Sequence, residues 1–338
     1  MDLETFWFVL IAVLWAGYFA LEGFDFGVGM LLPWVGRDDA ERSTMLRAIG
    51  PVWDGNEVWL IVAGGATFAA FPAWYATMFS GFYVALLLVL CFLIVRVVSF
   101  EWRSKSEDAG WRSFWTWCNT IGSFGAALVW GVGLSNLVNG VPIDSEGNYA
   151  GDLLDLFSPY TVFAGVTVVL LFAFHGATFL TLRTVGVLAE RALHTARRLS
   201  IAAALAAAVF LVWTVAVAMD RNERELLPPA LPAAFGIVVM VLAVVFLRLG
   251  RNGWAFAMTG LSAVSVVATL FTSLYPRVMV SDPEFGNSLT VEGAASSHYA
   301  LQVMTVVAVI FVPLVLAYQG WTYYVFRHRV GDEPVESV

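Results

Sequence analysis

Long uninterrupted apolar segments are the feature of this sequence that most constrains its fold. A helix that crosses a bilayer needs about 20 mostly apolar residues, and nine segments come close to or exceed that length. They lie near residues 5–35, 52–71, 77–98, 114–138, 157–182, 199–219, 231–248, 253–275 and 301–326. Because these segments are continuous and do not alternate with polar residues, they exclude a membrane β-barrel. The sequence predicts a polytopic, all-α membrane protein.

Composition excludes most other classes of protein. Of the 338 residues, 59% are apolar and 13% are charged, whereas a soluble domain is about 45–50% apolar and about 25% charged. Soluble enzymes and nucleic-acid-binding modules are therefore excluded, and we expect no nucleic acid partner. We treat residues 1–338 as a single integral-membrane domain.

Basic residues are concentrated in alternate connections between the predicted spans. Fifteen of the 18 lie on one side: Arg37, Arg42, Arg47, Arg96, Arg103, Lys105, Arg112, Arg183, Arg191, Arg197, Arg198, Arg248, Arg251, Arg327 and Arg329. The other side has Arg221, Arg224 and Arg277. Since connections rich in Lys and Arg stay in the cytoplasm, we predict an external N-terminus and a cytoplasmic C-terminus. This orientation requires an odd number of spans, and nine is odd.

The connections are too short to hide a soluble domain. The two longest, 139–156 and 276–300, are both external, acidic and rich in turn residues, and could cap the outer surface. On the cytoplasmic side, residues 186–198 predict a short amphipathic helix.

Four carboxylates lie where a membrane helix should be apolar. Glu22 and Asp25 lie deep in the first span, and Asp54 and Glu57 lie near the start of the second. Such a residue costs about 2.5–3.5 kcal/mol on insertion scales, so it usually marks a pathway or an ion pair. At 1.5 Å per residue, Asp54, Glu57, Asp25 and Glu22 lie about 5, 9, 15 and 20 Å from the cytoplasmic surface. Because burial favours the protonated form, this ladder predicts a proton pathway.

Structural explanations for these acids stay open. Asp54 with Glu57 three residues later could form a capping box after a proline. Glu22 and Asp25 could instead pair with an arginine such as Arg96. Packing or interface roles are predicted for six neighbours: Gly23, Gly27, Gly29, Trp53, Asn56 and Trp59.

The supply of histidine argues against a haem bound by this chain. Only His175 lies inside a predicted span, whereas His194 and His328 are cytoplasmic and His298 is external. One histidine cannot form a bis-histidine haem site. A single axial ligand at His175 stays open, although a lone intramembrane histidine more often bonds a neighbouring helix. We expect no metal or cofactor site and no complete catalytic site in this chain.

Six stretches carry a family resemblance. They are GFDFGVGML (23–31), PVWDGNEVWL (51–60), FSGFYVALLLVL (79–90), RSKSEDAGWRSFWTW (103–117), GATFLTLRTVGVL (176–188) and NSLTVEGAASSHYALQVMTVVAVIFVPLVLAY (287–318). They follow the family's order along the chain, and WDGN shortly before VWL is unusual for a membrane helix. On these residues the chain resembles subunit II of the cytochrome bd quinol oxidases.

The resemblance implies two four-helix bundles plus a peripheral helix in a bacterial cytoplasmic membrane. It implies a heterodimer with a haem-bearing subunit I that holds two haems b and one haem d. The complex, part of the aerobic respiratory chain, would oxidise a membrane quinol (ubiquinol or menaquinol) and reduce oxygen to water. It would generate a proton-motive force without pumping. Some members hold a quinone in this subunit or add a small single-span subunit.

The resemblance also implies roles for two of the acids. Asp25 and Asp54 occupy aspartate positions of family motifs and would contribute to proton delivery from the cytoplasm, while Glu57 stands where members can carry an amide. Two rival functions stay open. One is a proton-coupled secondary transporter, although the acidic motifs are not mirrored in the second half as inverted repeats would predict. The other is a purely structural membrane subunit.

Overall fold

The computed structural model describes residues 2–331, so Met1 and the last seven residues of the predicted domain lie outside it. Within that range the chain forms eleven α-helices and one small antiparallel sheet. The helices are α1 (Leu3–Val35), α2 (Asp39–Ile49), α3 (Trp53–Ala70), α4 (Pro72–Gly81), α5 (Tyr83–Trp102), α6 (Ala109–Asn139), α7 (Pro159–Arg183), α8 (Gly186–Arg221), α9 (Leu227–Arg248), α10 (Asn252–Leu274) and α11 (His298–Val325). The strands are β1 (Arg277–Met279) and β2 (Leu289–Thr290).

Eight of these helices are long and apolar enough to cross a membrane: α1, α5, α6, α7, α8, α9, α10 and α11. This confirms the polytopic all-α fold. The predicted span at 52–71 forms α3, which has only 18 residues and includes Asp54 and Glu57, and it is not among the eight. The count of nine spans and the orientation of the termini therefore remain predictions.

Proline and glycine set the breaks around α4. Pro72 lacks an amide hydrogen and disfavours helical geometry at the residue before it. Helix α3 therefore ends at Ala70, and its C-cap Phe71 has φ −134° and ψ 68°. A second break at Phe82 divides the segment predicted as one span, 77–98, between α4 and α5. At that break Gly81 lies against the ring of Tyr149 from the connection 139–156, where a Cβ would be only 2.6 Å from Tyr149 Cβ.

The amphipathic segment at 186–198 is not a separate helix. It is the first part of α8, which continues for 36 residues to Arg221. Between 187 and 221 the sequence has neither glycine nor proline and is rich in alanine, the residue with the highest helix propensity. Nothing in this stretch therefore ends the helix at the membrane surface.

The helices pack as two groups with one helix outside them. In the first group α1 packs against α3 and α6, and α5 packs against α6; in the second, α7, α8, α9 and α10 form a closed ring. The groups meet where α1 contacts α7 and α10 and where α6 contacts α7. Helix α11 lies on α1 and α3, and of its 28 residues only Leu301 is buried. This arrangement matches the expected pair of bundles with a peripheral helix.

Ion pairs join the basic connections at one end of the molecule. Asp39 at the start of α2 pairs with Arg103 and Arg112, and Glu41 two residues later pairs with Arg191 of α8. Three arginines that were predicted to lie on the same side of the membrane are therefore found at one end of the helices.

The two long acidic connections meet at the opposite end. The amide of Val141 donates to the carbonyl of Val280 across 3.1 Å, and Asn287 Nδ2 donates to the carbonyl of Ile143 across 2.8 Å. Arg221 pairs with Asp282 in the same region. These contacts form a cap over the end of both helix groups.

A buried carboxylate cluster as the candidate functional site

Helix α1 presents a polar stripe to the interior of the first helix group. Tyr18, Glu22 and Asp25 follow one another at spacings of four and three residues, which place them on one face of the helix. All three are buried, and Glu22 and Asp25 have no exposed surface. The stripe contacts residues of α3, α5 and α6.

A single arginine joins two of the acids. Arg96 Nη1 of α5 lies 2.6 Å from Glu22 Oε1 and 3.6 Å from Glu57 Oε2, and neither Arg96 nor Glu22 is exposed. The guanidinium also lies over the rings of Phe26 and Phe100, at 4.7 and 5.3 Å from their centroids, where cation–π attraction adds to the ion pairs. Arg96 therefore connects α1, α3 and α5, as the ion-pair explanation expected for Glu22.

Asp25 belongs to a second branch of the cluster. Asn56 Nδ2 donates to Asp25 Oδ2 across 2.7 Å. The carbonyl oxygen of Asn56 accepts from the Tyr323 hydroxyl at 2.7 Å and from Gln319 Nε2 at 3.1 Å. Tyr323 and Gln319 come from α11, so the peripheral helix contributes directly to a site that lies mainly between α1 and α3.

Asp54 stands apart from the other three acids. Its side chain is exposed, and it makes no hydrogen bond or ion pair with residues 2–331. The capping box that was one structural explanation for Asp54 and Glu57 does not form, because the N-cap of α3 is Val52 and no side chain caps that end. Next to it, Trp53 packs on Phe100 with ring centroids 4.9 Å apart. Asp54 is therefore free to face solvent or a partner at the basic end.

The cluster has more carboxyl groups than cations. Glu22, Glu57 and Asp25 share one guanidinium, so full ionisation would leave an excess of negative charge that bound protons can relieve. Several buried oxygens lack a partner in the described part of the chain: the Tyr18 hydroxyl, Asp25 Oδ1 and Glu22 Oε2, the oxygen of Glu22 that is not paired with Arg96. Buried polar atoms of this kind are ordinarily satisfied by ordered water. The site thus combines acids with the chemistry that water-mediated proton exchange requires.

Glycines let neighbouring helices approach α1 beside the cluster. A Cβ on Gly27 would lie 2.8 Å from Gly176 Cα on α7, and one on Gly23 would lie 2.7 Å from the Phe172 ring. A Cβ on Gly29 would lie 2.5 Å from Asn119 Oδ1 of α6. All three positions therefore need a residue without a side chain.

The surroundings of His175 do not fit a haem. Its Nδ1 lies 2.7 Å from Thr259 Oγ1, its Nε2 lies 3.0 Å from the carbonyl of Ala20, and its ring stacks on Phe256 at 4.6 Å. Both ring nitrogens are thus occupied by neighbouring helices. Among the described residues there is also no group of three or more His, Cys, Asp or Glu side chains that could hold a metal ion.

Three polar residues of this site were not predicted from the sequence. Tyr18 could have been found from its spacing to Glu22 and Asp25. Gln319 and Tyr323 are four residues apart in a mostly apolar helix, which is the spacing of neighbours on one helix face. Their contact with Asn56 depends on how α11 packs, which periodicity does not specify.

Comparison with known proteins decides the family. The family model described as "Cytochrome bd terminal oxidase subunit II" matches residues 3–326. The chain belongs to this family. It is 43% identical to cytochrome bd ubiquinol oxidase subunit 2 of Bacillus subtilis (strain 168), over 98% of each protein. It is 38% identical to cytochrome bd-I ubiquinol oxidase subunit 2 of Escherichia coli (strain K12), over 99% of this chain and 97% of the relative.

A solved structure supports the fold. A chain from the structure of bd oxidase from Geobacillus thermodenitrificans superposes with a TM-score of 0.79 at 18% identity, covering 96% of this chain and 99% of that one. The resemblance inferred from the motifs is confirmed. Membership of the bd oxidase subunit II family makes the chain a multi-pass cell-membrane subunit of an oxidoreductase, so the transporter alternative loses its support.

Proposed function

We propose that the chain is the haem-free subunit II of a quinol:oxygen oxidoreductase and that its buried acids deliver protons from the cytoplasm for the reduction of oxygen. The observation that carries this proposal is the cluster of Glu22, Glu57 and Asp25 around Arg96 and Asn56. Buried ionisable groups in a membrane protein are costly and commonly mark proton relays. Here they occur in a family whose established reaction class consumes protons.

Burial increases along the proposed route. Asp54 is exposed at the basic end, the Glu57 side chain is 18% exposed, and Asp25 and Glu22 are fully buried. A proton would enter at Asp54, pass to Glu57 and reach the inner acids through ordered water. The buried oxygens that lack protein partners are the positions where such water would bind.

The partners follow from the relatives. The Bacillus subtilis and Escherichia coli proteins are named ubiquinol oxidase subunits, and we propose a membrane quinol and oxygen as substrates of this complex too. The two haems b and the haem d would lie in subunit I, in keeping with the occupied nitrogens of His175. Subunit I would cover part of the exposed apolar surface of the first helix group, where α5 has few buried residues.

A purely structural role is the second candidate. Arg96 ties three helices together through Glu22 and Glu57, and such a contact could serve assembly alone. The two candidate functions predict different effects of substituting Asp54 and Asp25, because neither of these acids lies at ion-pair distance from Arg96.

The test uses Asp54→Asn and Asp25→Asn in the purified complex with subunit I, with Glu107→Gln as a matched control because Glu107 is an exposed acid at the same end. If the acids relay protons, both asparagine variants lower quinol-dependent oxygen consumption while the haem content per complex stays normal. The control should behave like the wild type. Loss of haem and activity together, or no effect in either variant, would refute the relay.

A further inference from the structure

A directional series of hydrogen bonds runs from α3 through α11 to Asp25. Trp59 Nε1 donates to Gln319 Oε1 across 2.7 Å, and Gln319 Nε2 donates to Asn56 Oδ1 across 3.1 Å. Asn56 Nδ2 then donates to Asp25 Oδ2 across 2.7 Å. Both amides in this series thus accept through the carbonyl oxygen and donate through the nitrogen.

The first group in the series fixes its direction. An indole N–H can only donate, so Gln319 must turn its carbonyl oxygen toward Trp59 and its amino group toward Asn56. The amide of Asn56 must then present its oxygen to α11 and its amino group to α1.

The other end of the series enforces the same orientation. The second hydrogen of Asn56 Nδ2 is directed to the carbonyl of Leu21 at 3.3 Å, and a carbonyl can only accept. The Tyr323 hydroxyl supplies a second donor to Asn56 Oδ1 at 2.7 Å. All four hydrogen-bonding positions of the Asn56 amide are therefore occupied. Because a hydroxyl can donate or accept, Tyr323 adds strength to the series without determining its direction.

We propose that Gln319 is a positioning residue for Asp25: with Trp59 it holds the Asn56 amide as a fixed donor, so that the peripheral helix α11 controls the orientation of the Asp25 carboxyl group. This inference rests on the proposed proton delivery, and it identifies the residues that orient Asp25, one of the acids on that route. Asp25 Oδ2 is kept as an acceptor. The other oxygen, Oδ1, has no partner among residues 2–331, so it is the atom that takes up and releases the proton.

Three substitutions distinguish an effect on the orientation of the Asn56 amide from a general effect on the packing of α11. Gln319→Met keeps the length of the side chain but removes both hydrogen bonds of the Gln319 amide, so Asn56 Oδ1 loses one of its two donors and the amide is held less firmly against Asp25. Tyr323→Phe removes a donor that does not set direction. Thr305→Val is the control on the same helix, because it removes a bond from the Trp7 indole at 3.0 Å, far along α11 from Asn56.

In the complex with normal haem content, Gln319→Met should consume oxygen about tenfold more slowly, the effect of losing one positioning hydrogen bond. Tyr323→Phe should slow oxygen consumption by no more than about twofold, and Thr305→Val should consume oxygen at the wild-type rate. In an Asn56→Leu background, Gln319→Met should cause no further loss, since the amide it orients is absent. Equal losses in all three variants, or a further loss in that background, would mean that α11 only anchors the fold.

A spectroscopic readout distinguishes this inference from the proposed function. The infrared band of the Asp25 carboxyl group, identified by its disappearance in Asp25→Asn, should shift in Gln319→Met and stay unchanged in Thr305→Val. A shifted band with an unchanged rate would support the positioning role and refute proton delivery through Asp25. An unshifted band in Gln319→Met would overturn the positioning role, whatever the rate.

Discussion

Replacing Arg96 with methionine is the sharpest test of how the buried cluster is held together. Methionine has a similar length and fills the space between Phe26 and Phe100, so the main loss is the positive charge. Glu22 would then remain fully buried without a cation, and Glu57 would lose the same partner.

The distances give the size of the effect. With an effective dielectric constant of about 20, attraction across 2.6 and 3.6 Å amounts to about 6 and 5 kcal/mol. The cost of removing the charges from water offsets most of that attraction. Removing one partner of a buried pair nevertheless costs about 3–5 kcal/mol, because the other charge is left uncompensated. We expect a loss of that size in Arg96→Met.

The assay is the thermal stability of the detergent-solubilised complex, followed by the loss of haem absorbance, together with the yield of assembled complex. The matched control is the double variant Glu22→Gln with Arg96→Met, which removes both partners and should recover most of the lost stability. Wild-type stability in Arg96→Met, or a double variant no better than the single one, would refute this account of the cluster.

Four further outcomes are expected. Gly27→Ala should prevent assembly, because its Cβ would collide with the backbone of α7, whereas Gly64→Ala, with open space around it, should assemble normally; the yield of complex in membranes checks both. Partial burial raises the pKa of Glu41. Hydrogen bonds from the Arg191 guanidinium and from the backbone amide of Arg37 outweigh that effect and hold the pKa below its usual 4.5. The contribution of Glu41 to stability is therefore complete above pH 4.5 and is lost as the pH falls through the lower pKa of the folded state. Amide hydrogen exchange in α2, corrected for its intrinsic pH dependence, should become faster in that acidic range. The Glu41→Gln variant should show no such rise. His175→Phe should leave the reduced-minus-oxidised haem spectrum of the complex unchanged, since the ring nitrogens bond to neighbouring helices. Ser145→Cys should react with a membrane-impermeant maleimide in intact cells if the acidic cap is external, and only in broken cells if the orientation is reversed.

Much of the fold was predictable because bilayer thickness sets a length that can be read directly from apolar segments. Helix boundaries were harder to predict where local chemistry interrupts or extends those segments. The break at Phe71 and Pro72 has a sequence signal, whereas the break at Phe82 has no proline beside it and was not predicted. The continuation of 186–198 into α8 reflects helix propensity, which hydropathy does not measure.

For the site, the acids were predictable because charge is rare in membrane helices. For Glu22 the sequence allowed either a proton pathway or an ion pair with an arginine such as Arg96, and it did not decide between the two. The role of Asn56 as the bridge between Asp25 and α11 was not predictable, since it depends on where the peripheral helix docks. Depth along a helix can be estimated from residue number, but side-chain partners between helices require the packing.

The most direct test of the central claim is proton uptake during turnover by the complex reconstituted in liposomes, with a pH indicator on the side of the basic end. The wild-type complex should take up protons from that side as it reduces oxygen. Asp25→Asn, with an unchanged haem spectrum, should take them up more slowly, in step with its slower oxygen consumption. Uptake at the wild-type rate in Asp25→Asn would contradict proton delivery through this cluster.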